Sequence, residues 1–178
     1  MAVHIERIEE FLIPPAVLEQ IAGLLAEAFP DYPSGRSYLK QLPTFRLLAW
    51  QDATLTGHLA VEHRLVAVEG TPLRIFGIAD LCVAGAFQHR KIATCLLGEL
   101  ERLGRTNGID FLMLLAKDHS LYLQNGFQPV DNPCCWTVLQ RFHTYGVVRR
   151  SVSGSLLVKP LSGSPWPPGL VDFLGHIF

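Results

Sequence analysis

The stretch from Asp80 to Leu97 constrains this chain most, because an apolar strand-like run passes through a short turn into a helix. The run ends at Val83, and the helical pattern predicts a helix from Gln88 to about Gly104. Backbone N–H groups in the first turn of a helix have no acceptor within it and carry a partial positive charge. Such a helix start favours a phosphate or pyrophosphate. We therefore expect a phosphate-bearing cofactor at this turn.

Donors and cations surround the expected helix start, since Gln88, His89, Arg90 and Lys91 follow one another there. An ordinary basic helix N-terminus without a ligand gives the same pattern. This segment alone therefore leaves both interpretations open.

Strand and helix patterns alternate along the rest of the chain, which indicates an α/β fold with a mixed sheet in one domain spanning residues 1–178. Turn residues and prolines separate the elements. The predicted strands are Val3–Ile8, Phe45–Trp50, Leu55–Val68, Leu73–Val83, Phe111–Leu115, Cys134–Phe142 and Ser155–Pro160. The other predicted helices begin at Pro14–Pro15, cover Ser37–Gln41, and lie around Ser120–Asn125. The strand Phe111–Leu115 is expected to run parallel to Leu73–Val83, because the helix between them is a natural crossover.

Composition narrows the class of protein. Hydrophobic residues make up 49% of the chain and charged residues 17%, which suits a large core and argues against disorder. The net charge of -1 gives no electrostatic footprint for nucleic acid. No apolar run is long enough to span a membrane, and no signal peptide is evident, so we expect a cytoplasmic protein.

Cysteine and histidine spacing does not indicate a metal site. The four cysteines form no C-x-x-C pair, the seven histidines are scattered, and buried free thiols are expected. The cysteines are Cys82, Cys95, Cys134 and Cys135.

The turn after Val83 resembles the acyl-coenzyme A loop of the GNAT superfamily, the general N-acetyltransferases, which reads Arg/Gln-x-x-Gly-x-Gly/Ala between a strand and a helix. Gln88 and Ala93 match two of the marked positions, and Lys91 stands where the family has glycine. Glycine lets a backbone approach a pyrophosphate closely. Lys91 therefore either pairs with a phosphate through its ammonium group or weakens the site.

A second segment strengthens this resemblance. After the buried-strand pattern of Asp110–Ala116, Tyr122 lies four residues before Gly126, and Phe127 completes the Gly-Phe pair that is common in the family. Two motifs in the expected order are more specific than either alone.

The resemblance implies the GNAT acyl-CoA N-acyltransferase fold, with a central twisted mixed sheet of about seven strands and helices on both faces. It implies acetyl-CoA, or another acyl-CoA, as co-substrate and no metal. The implied cofactor-binding residues are Leu81, Cys82, Val83, Gln88, His89, Arg90, Lys91, Ile92 and Ala93.

Tyr122 is implied to be the general acid that protonates the leaving thiolate, whereas the alternative is a tyrosine that only packs its ring. Asp80 is the candidate general base, because a carboxylate in an apolar run needs a partner. Glu62 and His63 on the neighbouring strand are weaker candidates. The alternative for Asp80 is a surface side chain or a loop hydrogen bond.

The expected activity is acyl-CoA-dependent N-acyl transfer, most simply of acetyl to a primary amine of a small molecule by direct attack. One alternative is a non-catalytic GNAT-like module that binds a ligand. Another is a longer-chain N-acyltransferase acting on an amino sugar, implied by a looser resemblance to the nodulation N-acyltransferases. That resemblance rests on Gly35, Arg36, Ser37, Tyr38, Pro43, Arg46, His58 and Arg64. In it, Arg36 and Arg46 either meet a substrate anion or are solvated or loop-tying side chains.

The expected partner is therefore a small-molecule amine, with no nucleic acid and no membrane. The apolar tail Val171–Phe178 is a candidate contact for a homodimer.

Overall fold

The computed structural model describes residues 3–152 and 154–178. Within them the helices are α1 (Pro15–Ala28), α2 (Ile92–Thr106) and α3 (Ser120–Gln124), with 3-10 turns at Glu10–Leu12 and Gly85–Phe87. The strands are β1 (His4–Glu9), β2 (Phe45–Gln51), β3 (Thr54–Val68), β4 (Thr71–Val83), β5 (Phe111–Leu115), β6 (Gln128–Pro129), β7 (Pro133–Gln140), β8 (His143–Ser151), β9 (Leu156–Pro160) and β10 (Val171–His176).

The chain divides into two compact units. The first unit contains Met1–Val61 and Ala79–Leu100, and the second contains Glu62–Ile78 and Glu101–Phe178. Strands β3 and β4 each contribute residues to both.

In the first unit, β1 pairs antiparallel with β2, and β2 pairs antiparallel with β3. The register of β2 and β3 shifts between Ala49 and Trp50, which lie opposite Gly57 and Leu55, and such a bulge bends the strand. Helix α1 begins with Pro15. Proline lacks a backbone N–H, and none is needed in the first turn because an N–H there has no acceptor within the helix. The core of the unit is formed by Ile13, Ile21, Leu24, Leu25, Leu48, Leu55 and Cys82.

In the second unit, β4 pairs parallel with β5 over Ile75–Ile78, and β9 pairs antiparallel with both β5 and β6. Strand β10 pairs parallel with β7 and antiparallel with β3, and β7 and β8 form a hairpin. The buried core includes Val66, Ile75, Phe111, Met113, Cys134, Leu156, Val158, Val171 and Phe173.

These elements confirm the predicted α/β class with a mixed sheet, and the parallel pairing of β5 with β4. The described sheet has ten strands rather than about seven. Strand β8 was not predicted. Eight of its nine residues are exposed, so its sequence shows no alternation of apolar and polar residues. Strand β10 was not predicted either. Its pairing register with β7 shifts between Asp172 and His176, and this shift interrupts the two-residue alternation of a regular strand.

Two helix predictions were wrong. Residues 37–41 form bends rather than a helix, because so short a segment does not repay the cost of helix nucleation before Pro43. Helix α2 begins at Ile92 rather than Gln88, because His89 and Lys91 adopt left-handed backbone angles that are incompatible with a right-handed helix.

Cysteine burial also differs from expectation. Cys82 and Cys134 are buried as predicted, but Cys95 is exposed because it lies on the outer side of α2, and Cys135 is half-buried. No group of three or more potential metal ligands occurs among the described residues.

No described helix is both long and apolar enough to cross a membrane. The tail packs within the second unit, where Val171 and Phe173 are fully buried. The homodimer contact stays a prediction.

Candidate functional site

The loop between β4 and α2 combines a 3-10 turn at Gly85–Phe87 with a segment that leads into the helix. Its first helical bond runs from the N–H of Cys95 to the carbonyl of Lys91, at 2.9 Å. The N–H groups of Ile92, Ala93 and Thr94 come earlier, at positions that have no acceptor within the helix. The helix start therefore has the donor set that suits a phosphate.

The backbone of this loop is left-handed at His89 (φ 61°) and at Lys91 (φ 63°). Residues with a Cβ adopt this conformation at a cost of about 1–2 kcal/mol each. Lys91 thus takes, at the position where the GNAT loop has glycine, a conformation that glycine adopts freely. The substitution preserves a glycine-like backbone path and adds an ammonium group.

Hydrogen bonds tie the beginning of the loop to the first unit. The N–H of Gly85 donates to Glu27 Oε1 at 2.8 Å, and the N–H of Ala84 donates to the carbonyl of Thr56 at 3.0 Å. The Arg90 guanidinium lies over the Phe87 ring, 5.2 Å from its centre. These contacts hold the loop in one shape before any ligand arrives.

Burial divides the nine predicted cofactor-binding residues into three groups, of which Leu81, Val83 and Ala93 form the half-buried one. The side chains from Gln88 to Lys91 are exposed, so they can reach a solvent-borne anion. Cys82 and Ile92 are buried in the protein, so only their backbone groups are suited to bind a ligand. Burial and the nearby carboxylates of Asp80 and Glu27 raise the pKa of the Cys82 thiol to about 12, which makes it a poor nucleophile.

Asp80 lies within β4 and is itself left-handed, with φ 53°. Its carboxylate Oδ2 accepts a hydrogen bond from the Tyr32 hydroxyl at 2.7 Å. Burial and the adjacent carboxylate raise the pKa of Tyr32 well above its usual value, so Tyr32 remains the donor. The predicted base therefore has the partner that a carboxylate in an apolar strand requires.

Three residues that no sequence motif connects form a chain of hydrogen bonds that ends at Asp80. Arg46 is fully buried and donates to both carboxylate oxygens of Glu10, at 2.6 Å from Nε and 3.0 Å from Nη2. Arg46 Nη1 lies 2.8 Å from His58 Nε2, and His58 Nδ1 lies 2.9 Å from the carbonyl oxygen of Asp80. Arg46 and His58 were detectable as polar residues inside apolar strand patterns, which indicates buried partners.

Arg36 and Arg46, the two arginines considered above for a substrate anion, are not simply solvated. Arg46 is engaged by Glu10 and His58, as described. Arg36 donates to the carbonyl of Leu39 at 2.8 Å and lies over the Tyr38 ring, so it ties its own loop together. This matches the loop-tying interpretation for Arg36.

Tyr122 lies in α3 of the second unit, and its ring meets the Phe127 ring edge-on, with centres 5.7 Å apart. Burial and the charge of Asp118 raise the pKa of its phenol, which keeps it protonated. The N–H and hydroxyl of Ser120 both donate to Asp118 Oδ1, so Asp118 supplies an acceptor to the first N–H of this short helix from just before its N-cap residue, His119. The ring therefore packs, and the hydroxyl remains in the protonated state that a general acid requires.

The weaker base candidates have other partners in the second unit. Glu62 accepts a hydrogen bond from Arg64 at 3.0 Å and lies 3.1 Å from His176 Nε2. His63 meets the Phe76 ring edge-on. Asp80 likewise has a partner in Tyr32, and the choice of general base stays a prediction.

A mixed sheet, a loop with a glycine-like backbone path and a helix start rich in donors define a fold that suits a phosphate-bearing cofactor. Residues 13–130 match the acetyltransferase (GNAT) domain family over more than half of the chain. The chain belongs to this family of acetyltransferases.

Two solved structures share the fold of this chain. A GNAT family N-acetyltransferase, YhbS from Escherichia coli in complex with CoA, is 20% identical with a TM-score of 0.62 and covers 96% of this chain and 88% of its own. A GNAT acetyltransferase from Brucella melitensis in complex with acetyl-CoA is 19% identical, with a TM-score of 0.62 and 96% of both chains covered.

An aminoglycoside acetyltransferase from an uncultured soil sample is 25% identical with a TM-score of 0.56, and the match covers 71% of this chain and 91% of that one. No curated protein sequence is significantly similar to the chain.

Proposed function

We propose that this protein transfers an acetyl group from acetyl-CoA to a primary amine of a small molecule. The observation that supports the proposal most is the loop before α2, where a left-handed Lys91 leads into helical N–H groups at the position of the family's acyl-CoA loop. The two relatives described with CoA or acetyl-CoA bound share the fold. We also expect the chain to act as a single domain in the cytoplasm.

In the proposed reaction the neutral amine nitrogen attacks the thioester carbonyl carbon. The C–N bond forms, the C–S bond breaks, and the sulfur leaves as a thiolate. One proton leaves the amine and one proton reaches the sulfur, so no metal and no covalent enzyme intermediate are needed. The Leu81–Val83 backbone holds the pantetheine arm, and residues 88–93 hold the diphosphate.

Asp80 takes the amine proton, directly or through water. Its carboxylate accepts a hydrogen bond from Tyr32, whose raised pKa prevents it from giving up its own proton at neutral pH. Tyr122 gives the thiolate a proton. Its raised pKa keeps the phenol protonated, so this proton is available. The role of Tyr122 follows the family resemblance, and that of Asp80 follows its position as a carboxylate within an apolar strand.

An amino sugar is the second candidate acceptor. The similarity to an aminoglycoside acetyltransferase, the relative with 25% identity, favours it. A panel of simple amines and amino sugars, each tested with acetyl-CoA and longer acyl-CoAs, separates the two acceptor classes and measures the accepted acyl length.

Acetyl-CoA is expected to raise the melting temperature of the protein, because a ligand that binds only the folded state stabilises it by about 2.7 kcal/mol at one hundred times its Kd. S-Acetylpantetheine, which lacks the nucleotide phosphates, should produce a much smaller shift if residues 88–93 bind them. A thermal-shift titration with both compounds measures this. Equal shifts would contradict the phosphate role of the loop, and no shift at millimolar acetyl-CoA would favour a non-catalytic module.

The Asp80→Asn variant is expected to lower kcat at neutral pH by about a hundredfold, in the usual range for loss of a general base. The amide keeps an oxygen that accepts the Tyr32 hydrogen bond, so acetyl-CoA affinity should change little. Steady-state kinetics over a pH series measure the effect. A variant with a wild-type pH profile would exclude Asp80 as the base.

A further inference from the structure

Strand β4 contains a strained residue beside the proposed acyl-CoA strand segment. Asp80 is left-handed inside the strand, and a non-glycine residue keeps that strained conformation only when its surroundings hold it. The pairing of β4 with β5 covers Ile75–Ile78, whereas β4 continues to Val83. The turn at Asp80 thus comes between the part of β4 that pairs with β5 and Leu81–Val83.

The carbonyl of Asp80 is held by a chain of hydrogen bonds whose direction is determined by chemistry. Arginine only donates, so the His58 Nε2 that faces Arg46 Nη1 at 2.8 Å must be an acceptor. The single imidazole proton then lies on Nδ1, which donates to the Asp80 carbonyl at 2.9 Å. Arg46 therefore determines which tautomer His58 adopts.

Burial keeps these hydrogen bonds in the same arrangement at physiological pH. Arg46 and His58 are both fully buried, and Glu10 neutralises the guanidinium with two hydrogen bonds. Burial and the Arg46 charge lower the pKa of His58 to about 3, so the imidazole stays neutral at physiological pH. At physiological pH the neutral His58 with its determined tautomer therefore acts as a rigid donor without charge.

We propose that Glu10, Arg46 and His58 form a positioning chain that holds the Asp80 carbonyl, and with it the left-handed turn of β4 that aligns the backbone of Leu81–Val83 for acyl-CoA. The same chain orients the Asp80 carboxylate, because the carboxylate and the carbonyl belong to one strained residue. The inference rests on the proposed acetyl-CoA function. None of the three residues touches the reacting atoms.

Two substitutions of His58 separate positioning from general stability. In His58→Asn the amide nitrogen replaces Nδ1 and still donates to Asp80, whereas in His58→Gln the amide oxygen replaces Nε2 and accepts from Arg46 only. Each variant thus keeps one of the two His58 hydrogen bonds and loses the other. We expect His58→Gln to raise the KM for acetyl-CoA and lower kcat/KM at least tenfold, and His58→Asn to stay within about threefold of wild type.

Hydrogen exchange of residues 79–83 in the ligand-free protein provides a readout that does not depend on activity. Exchange there should accelerate in His58→Gln but not in His58→Asn. Asn132→Ala is the matched control, since Asn132 is a buried polar residue of the second unit and donates to the carbonyls of Pro167 and Gly169 instead. Its loss should leave exchange at 79–83 and the KM unchanged.

Equal kinetics and equal exchange in the two His58 variants would overturn the positioning role. If the wild-type protein does not bind acetyl-CoA, the proposed function fails, and the exchange data still decide whether the chain holds the turn at Asp80. Variants that melt too low for kinetics are compared by exchange at reduced temperature, with Asn132→Ala measured alongside.

Discussion

Replacing Tyr122 by phenylalanine is expected to lower kcat for acetyl transfer by about 10²–10³-fold and to leave the Kd of acetyl-CoA nearly unchanged. The phenyl ring keeps the edge-on contact with Phe127, so the variant should fold normally. Only the hydroxyl that supplies the proton to the departing sulfur is lost. Initial rates with a thiol-detecting reagent and calorimetric titration of acetyl-CoA measure the two quantities.

Tyr145→Phe is the matched control, because Tyr145 is 66% exposed on β8 and has no proposed role. It should retain wild-type turnover. The raised pKa of Tyr122 also predicts that activity persists at alkaline pH beyond the usual titration of a tyrosine. Unchanged turnover in Tyr122→Phe would leave Tyr122 with only a packing role.

The free energy of unfolding is expected to decrease steeply as the pH falls below about 6.5. A histidine in the unfolded chain has a pKa of about 6.5, whereas burial and the Arg46 charge lower the pKa of His58 in the folded protein to about 3. A lowered folded-state pKa gives stability that is present above the unfolded value and is lost as the pH falls toward the folded value. The full interval corresponds to about 5 kcal/mol at most, which is a large part of the stability of a typical domain.

Urea unfolding between pH 7 and pH 4 tests this linkage. His58→Asn removes the titrating group, so its stability should fall less with decreasing pH than that of the wild-type protein, even though it starts lower. His143→Asn is the control, because His143 is exposed on β8. Parallel curves for wild type and His58→Asn would contradict the burial of a neutral imidazole.

Local patterns predicted most elements of this fold. The apolar face of α1, the strand pattern of β5 and the turn at Glu69–Gly70 depend on residues close together in the chain, so their periods and turn chemistry are legible in the sequence. The acyl-CoA loop was recognisable for the same reason. Its strained backbone was not, because lysine gives no local indication of a left-handed angle.

The positioning chain behind Asp80 shows what the sequence could not contain. Glu10, Arg46 and His58 lie on three separate segments, and the apolar patterns around Arg46 and His58 indicate buried partners without indicating which residues these are. The sequence by itself determined the alternation of helix and strand, the loop at the start of α2 and the Tyr122 motif, because these are short-range patterns. The tertiary structure alone decided the partners of Arg46, the tautomer of His58 and the turn at Asp80, because a buried charge is satisfied only by groups that folding brings to it from elsewhere in the chain.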